Sequence, residues 1–360
     1  MTIPKNLGVL ASKVSSTGAV PVTQVSDTAN TSTGYLALPQ GTTGQRSGSP
    51  VNGMIRYNTT NYSMEVYLRD SWFTLASNPN IASTVEIMLV AGGGTGGKNN
   101  GGGSGQGAGG GAGGLIYIPV FPVGTGSYTV TVGNGGASTS GTTAANGGNS
   151  VFTNASRTLT ANGGGSGGWN NNTNNAQIGG CGGGQWYPAY TGAASNQPST
   201  TNDGISTYTS TGFGNAGGNS GATDPYAAGG GGVGAAGGNF NGINGPVGGI
   251  GLAYSISGAS TYYGGGGGGA GYSGNSPYNE YAGGAGGGGT GSNDSYSSIS
   301  NGTANTGGGG GSGGSGGSGV VVIRYADTYA SATSTTGSPT ITVAGGYRIY
   351  SWTGNGSITF

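Results

Sequence analysis

Residues 85–94 read Val-Glu-Ile-Met-Leu-Val-Ala-Gly-Gly-Gly, and residues 319–325 answer them with Gly-Val-Val-Val-Ile-Arg-Tyr. Both are runs of strong β-formers with little polar alternation, the pattern of strands buried on two faces. Each joins directly to glycine, the first on its C-terminal side and the second on its N-terminal side. Their ladder groups need partners, so the two are expected to share one sheet. Further strands are expected at 115–120, 128–132 and 157–160, with Gly133-Asn134-Gly135 and Ala161-Asn162-Gly163 supplying turn chemistry. After Tyr325 a last hairpin is expected, 347–352 against 357–360 across Gly354-Asn355-Gly356.

Between these strands lies glycine, which fills 91 of the 360 positions. Runs recur at about 92–114, 162–168, 179–184, 214–221, 228–238, 245–251, 264–271, 283–291 and 307–319. Collagen is rejected, because Gly264–Gly269 and Gly307–Gly311 have no triplet period and prolines number 13. A flexible linker array fits poorly with 9% aromatics, 21 of them Tyr, and with bracketing strands. The ordered alternative is the left-handed threefold extended helix, with ~3.1 Å rise and no internal hydrogen bonds. Such rods can pack backbone against backbone and pair their N–H and C=O groups laterally. Interior positions must then be glycine, and Ala108, Ala112, Ser312, Ser315 and Ser318 are expected to point outward. The fold class is therefore all-β with a polyglycine-type helix bundle and essentially no α-helix.

Composition narrows function. Charged residues are 5% of the chain, nine basic against nine acidic, with no histidine and one cysteine. That removes His-dependent triads, His metal ligands, disulfide frameworks and Cys-cluster zinc sites. A neutral chain also lacks the electrostatic footprint for nucleic acid or anionic membrane. GxGxxG patterns are inevitable at this composition, and no helical period follows any of them. The acidic residues Asp203, Asp224, Glu280 and Asp294 fall one per loop and read as solvated charges, with Arg157 the lone cation between 99 and 319. The expectation is a non-enzyme with no cofactor and no metal. Residues 1–14, MTIPKNLGVLASKV, show no apolar run of signal-peptide length, so cytoplasmic synthesis is expected.

Four regions follow: a Ser/Thr/Val-rich arm at 1–35, a small β module at 36–80, the glycine-rich domain at 81–325, and a closing β segment at 326–360. The module is expected to hold strands at 54–57, 64–68 and 72–75. At this size it cannot bury a strong core alone, and oligomerisation is the simplest remedy.

Two resemblances sharpen this. Leu38-Pro39-Gln40-Gly41-Thr42-Thr43-Gly44-Gln45-Arg46, then Gly53-Met54-Ile55-Arg56-Tyr57-Asn58-Thr59-Thr60, then Trp72, is similar to a module of bacteriophage tail fibres, with Ser47 where that pattern usually has proline. The glycine region, through 89–94, 128–133, 307–325, 346–350 and 356–360, closely resembles the glycine-rich domain of phage tail-tip adhesins. The resemblance implies a virion protein, a tail fibre or tip adhesin, made in the host cytoplasm. Its partners would be other tail proteins through residues 1–80 and a host receptor, glycan or outer-membrane protein. It implies a homotrimer for the fibre module and a single copy for the tip-adhesin type. A non-adhesive virion component (shaft, whisker or capsid decoration) or an extracellular matrix filament remains the alternative.

The loops are rich in Tyr, Ser, Asn and Gly, the composition of antibody recognition loops. Capping the rods is the other role open to their rings. If the chain reverses at every loop, 185–213, 239–244 and 272–282 share one end, and 169–178, 222–227, 252–263 and 292–306 the other. The first set is expected to face the receptor through Trp186, Tyr187, Tyr190, Tyr208, Phe240, Tyr272, Tyr278 and Tyr281.

Overall fold

A computed structural model of the chain describes residues 38–60, 63–76, 81–98, 107–138, 144–169, 175–186, 191–221, 227–240, 246–270, 281–291 and 300–360. The expected arm at 1–35 lies outside the described residues. Residues 1–79 and 80–360 form two compact units.

In the first unit, β1 (Gln40–Gly41) runs parallel to β2 (Ile55–Asn58), which pairs antiparallel with β3 (Ser63–Leu68) and then β4 (Ser71–Ala76). The single helical turn among the described residues is a 3-10 turn at Thr43–Gln45. In it the Gln45 side chain accepts from the Thr42 amide at 2.8 Å.

The second unit is built on two antiparallel sheets. Its strands in chain order are β5 (Thr84–Val90), β6 (Leu115–Pro122), β7 (Ser127–Thr131), β8 (Ser150–Thr153), β9 (Thr158–Ala161), β10 (Thr201–Asn202), β11 (Thr207–Tyr208) and β12 (Gly212–Phe213). They continue with β13 (Leu252–Tyr254), β14 (Thr261–Tyr263), β15 (Val320–Ala326), β16 (Ser334–Thr336), β17 (Thr340–Ala344), β18 (Tyr347–Trp352) and β19 (Gly356–Thr359). One sheet runs β12-β6-β5-β15-β18-β17, the other β16-β19-β7-β8-β9. The two opening runs do share a sheet, with Val90 opposite Val320 and Ile87 opposite Ile323.

Why these runs are apolar without alternation is now visible. Ile87, Leu89, Val321, Ile323 and Trp352 enter a core closed by Tyr128, Phe152, Leu159 and Ile358 of the other sheet. Their neighbours Met88, Val90, Val320, Val322 and Ile349 pack on the opposite face with Leu115, Cys181, Val233, Ile256 and Tyr263. A strand wet on neither face needs no polar positions.

The expected closing hairpin is corrected. β18 pairs with β15 and β17, whereas β19 crosses to the other sheet and pairs with β7 and β16. The hairpin that forms is β17–β18, turning at Gly345-Gly346, whose φ values of 59° and 81° suit the primed turns that follow strand twist. Ile358 is drawn across because it is an apolar residue of the inter-sheet core.

Glycine rods continue the strands. The rod 91–98 extends β5, 107–114 leads into β6, 132–138 extends β7, 162–168 extends β9, and 313–319 leads into β15. Their hydrogen bonds have a period of three. Ala91, Gly94 and Gly97 donate to Gly114, Gly111 and Ala108; Gly92 and Thr95 donate to Gly148 and Ala145; Gly93 and Gly96 donate to Gly317 and Gly314. Carbonyls of the same rod accept from Gly164 and Gly167, from Gly136, and from Gly310 and Gly313. Each residue thus points its amide at one of three neighbours and its carbonyl at one of three others. That is hexagonal packing of threefold helices. The rod 107–114 repeats it, donating to 162–168, 227–233 and 307–312 and accepting from 91–98, 179–185 and 264–270.

Glycine is required by contact. A Cβ on Gly267 would sit 1.9 Å from the Gly310 carbonyl oxygen, and one on Gly93 would sit 2.1 Å from that of Gly308. Ala108, Ala112 and Ser312, expected to face outward, are buried, while Ser315 and Ser318 are half-exposed. The lattice admits a small side chain where a rod borders other side chains: Ala112 meets the Met88 cluster, and Ala108 lies with Trp186 and Ala227. Asparagine and serine serve its rim. Where an outer rod lacks a neighbouring carbonyl, Asn146, Asn149, Asn219, Asn301 and Ser318 accept from the amides of Ser166, Gly163, Gly192, Ser315 and Asn305.

Gly267→Val should lower the unfolding temperature by at least about 6 °C, taking ~3 kcal/mol for forced repacking at ~2 °C per kcal/mol in a domain of this size. Gly124→Ala, where a Cβ meets nothing within 4 Å, should leave it unchanged. Calorimetry of the two variants checks the contrast.

Candidate functional site

The hydrogen-bond registers fix the direction of every described rod. Relative to 91–98, the rods 132–138, 162–168, 179–185, 214–220, 235–240, 264–270, 287–291 and 307–312 run the same way. Those at 107–114, 144–149, 227–233, 246–251 and 313–319 run against it. All of them therefore have one end at the sheets and one end away from them. The described residues at the far end are cross-linked: Ala108 to Gly168, Gly168 to Gly184, Gln185 to Gly218, Ala228 to Gln185, Ala270 to Gly107, Gly269 to Pro246, Ser312 to Gly268, and Gly311 to Ser300.

The segments 99–106, 139–143, 170–174, 187–190, 222–226, 241–245, 271–280 and 292–299 are flanked on both sides by described residues at this far end. The two-end partition expected from loop parity is corrected. The flanks of 170–174, 222–226 and 292–299 join those of 187–190, 241–245 and 271–280, while 252–263 and 197–213 belong to the sheet end. Several glycine runs hide a reversal: 228–238 turns at Gly234–Ala235, 283–291 at Gly286-Gly287, and 307–319 at Ser312-Gly313. Glycine both builds the rod and makes the turn, so sequence shows no boundary.

Of the residues expected to face a receptor, Tyr187, Tyr190, Tyr272 and Tyr278 lie outside the described residues. Trp186, Phe240 and Tyr281 are at the far end. Trp186 is 7% exposed and packs on Ala108 and Ala227, the position of a cap over the rod lattice. Phe240 and Tyr281 are half-buried, as is Trp169, whose backbone bridges to Gly107. Sequence reasoning left Trp169 out because parity sent it to the other end.

Tyr208 stands apart, at the sheet end. Its hydroxyl donates to Asp203 Oδ2 at 3.0 Å, and its ring lies 6.0 Å from Phe121. Asp203 was expected to be a solvated loop charge; it is 1% exposed and paired with Arg157 at 2.5 Å. Burial would raise its carboxyl, but the Ser206 and Ile205 amides, with Arg157 and Tyr208, outweigh burial and hold it below the ordinary value. The lone cation of a long neutral stretch was the available signal for this pairing. A cleft of about 450 Å³ opens beside it, lined by hydroxyls and amides of Asn154, Ser156, Thr160, Thr201 and Asn202.

In the first unit the fibre-type motif residues converge on one carboxylate. Glu65 accepts from Arg46 Nη2 at 2.5 Å and from Asn58 Nδ2 at 2.7 Å, with Arg56 Nε at 3.9 Å. Arg56 also donates to the Thr42 carbonyl at 3.0 Å, and Asn58 to the Thr43 hydroxyl at 2.9 Å. The Arg46 and Arg56 guanidinium groups each lie 5.9 Å from the Trp72 ring centre, within cation–π range. Arg56 and Asn58 of the motif are thus buried around Glu65. The Cys181 thiol, buried in the second unit, is pushed up to about 12 by burial, which makes it unreactive.

Comparison with known proteins gives one family: a family described as glycine-rich domain matches residues 71–326. No curated protein matches the chain.

Acid should act through Glu65 and Asp203. Hydrogen bonding from Arg46 leads the depression of Glu65, whose ordinary value is 4.5; that of Asp203 is 3.8. A depressed carboxylate contributes stability that is complete above its ordinary value and lost as pH falls through its folded value. In urea titrations the margin of the parent chain over Glu65→Gln and Asp203→Asn should be full at neutral pH and shrink below about pH 4. A margin independent of pH would contradict the charge-based assignment.

Proposed function

The chain belongs to the glycine-rich domain family, and we propose that it is a bacteriophage virion protein, a tail fibre or tail-tip adhesin. In this reading it binds a host-surface glycan or outer-membrane protein without chemistry. What carries the reading is the gathering of the described rod ends, with Trp169, Phe240 and Tyr281, at the end away from the sheets. The connecting segments hold Tyr187, Tyr190, Tyr272 and Tyr278, rings suited to recognition at low entropy cost. A lattice of backbone bonds beneath them is a rigid base, and rigidity reduces the ordering cost of binding. Binding rather than catalysis is supported by the engagement of Glu65, Glu86 and Asp203 in ion pairs with Arg46, Arg324 and Arg157. The fibre-type motif of the first unit supports attachment to other tail proteins. Trp186 and Tyr208 have structural surroundings, so neither is retained as a contact residue.

Purified chain should bind host cells and compete with phage adsorption. The variant Trp169→Ala/Phe240→Ala/Tyr281→Ala should lose at least about tenfold in cell binding, the ~1.4 kcal/mol expected of one good aromatic anchor, while keeping its melting temperature within a few degrees. Full adsorption blocking by that variant would remove the aromatic far end from the contact. No binding of the parent chain to any host, with antibody labelling on a shaft or capsid, would replace the adhesin by a non-adhesive virion component.

A further inference from the structure

Strand β9 ends the sheet order β16-β19-β7-β8-β9, so one side of its backbone faces away from the ladder. In an antiparallel ladder, alternate residues turn both amide and carbonyl to that outer side. On β9 these are Thr158 and Thr160, and Asn162 follows in the same phase. The Thr158 amide donates to the Asp203 carbonyl at 2.8 Å, and the Asn162 amide donates to Gln197 Oε1 at 2.9 Å. Thr160 lies between them. Neither its amide nor its carbonyl has a partner among the described residues. The edge is thus closed on both sides of one open peptide group, and that group opens into the cleft of about 450 Å³ beside Arg157 and Asp203.

We propose that this cleft binds an N-acetylated amino sugar, whose acetamido group occupies the ladder place left open at Thr160. An acetamido group offers one N–H and one C=O, the complement of a single outward peptide unit. A longer extended peptide is disfavoured as occupant, because the Asp203 carbonyl and the Gln197 side chain already hold the flanking places that its next residues would need. The rest of the wall suits a ring bearing hydroxyls. The hydroxyls of Ser156, Thr160 and Thr200 make no hydrogen bond among the described residues, and Asn154 Nδ2 makes none. Arg157 engages Asp203 and Tyr208 through Nη1, which leaves Nε and Nη2 as donors in the cleft wall. Asp203 is the positioning residue for that guanidinium: its oxygens accept from Arg157, Tyr208 and the Ile205 and Ser206 amides. Arg157 and Asp203 are the only charged residues of the lining and neutralise each other, so an uncharged sugar fits better than an acidic one. The volume is in the ~300–1,000 Å³ range of small-ligand sites, and a lining of hydroxyls and amides selects a polar ligand over an apolar one. The site lies at the sheet end, so it stands whatever the far end of the rods binds.

The full chain, isotope-labelled at threonine, is titrated with methyl N-acetyl-β-glucosaminide and followed by amide NMR. Thr160→Val identifies the Thr160 signal by its loss. That signal should move on titration and saturate, and methyl β-glucoside, which has a hydroxyl in place of the acetamido group, should bind at least about tenfold more weakly. Thr160→Pro removes the outward donor without removing a ladder bond, and should weaken the acetamido sugar at least about tenfold while the melting transition is kept. Equal binding of the two sugars overturns the acetamido assignment. A Thr160 signal unmoved by either sugar overturns the site, whether or not Thr160→Pro folds. A response to N-acetylglycine methylamide as strong as that to the acetamido sugar overturns the sugar in favour of a peptide ligand. The Thr160 response should persist in Trp169→Ala/Phe240→Ala/Tyr281→Ala, which separates this site from binding at the far end; its loss there overturns the placement.

Discussion

Everything in the glycine-rich unit depends on one constraint: a rod with no internal hydrogen bonds must give every amide and carbonyl to a neighbouring rod. Buried backbone groups left unpaired each cost on the order of 1–3 kcal/mol, so a partly formed lattice is not stable. Lateral pairing at period three brings backbones so close that a Cβ would lie within about 2 Å of a carbonyl oxygen, as at Gly93 and Gly267. Glycine is therefore the means by which backbone replaces side chains as core. The entropy lost in ordering so much glycine is large. It is met by the density of these bonds and by the two sheets that start the rods in register.

The sheets and the rods divide the labour. Ile87, Leu89, Ile323 and Trp352 give a conventional apolar core, and the strands carrying them hand their register directly to 91–98 and 313–319. The described rod ends away from the sheets inherit their register from this anchor. Asparagine and serine, which look like linker composition, close the outer amides of the lattice.

The strands were legible because β-branched and aromatic runs contrast with glycine; the pairing of 85–90 with 320–325 followed from their need for partners. The direction of the rods was not legible, because Gly234–Ala235 and Gly286-Gly287 reverse the chain with the residues that also build rods. The same blindness placed Trp169 at the wrong end and Tyr208 among the far-end rings. Burial of Ala108, Ala112 and Ser312 was missed because outwardness was deduced for an infinite lattice, and these sit where it meets side chains or ends. The Arg157–Asp203 pair was read as loop charge because 46 residues separate them in sequence.

Amide hydrogen exchange resolved to the glycine runs tests the central claim most directly. The amides of 91–97, 108–114 and 264–270 all donate to carbonyls of neighbouring chain segments. They should be protected to the same degree as those of β5 and β15, and should be released together with them in one cooperative opening. Exchange of these glycine amides at the rate of an unstructured chain, with the β-strands still protected, would contradict the lattice and return the runs to the status of flexible linkers.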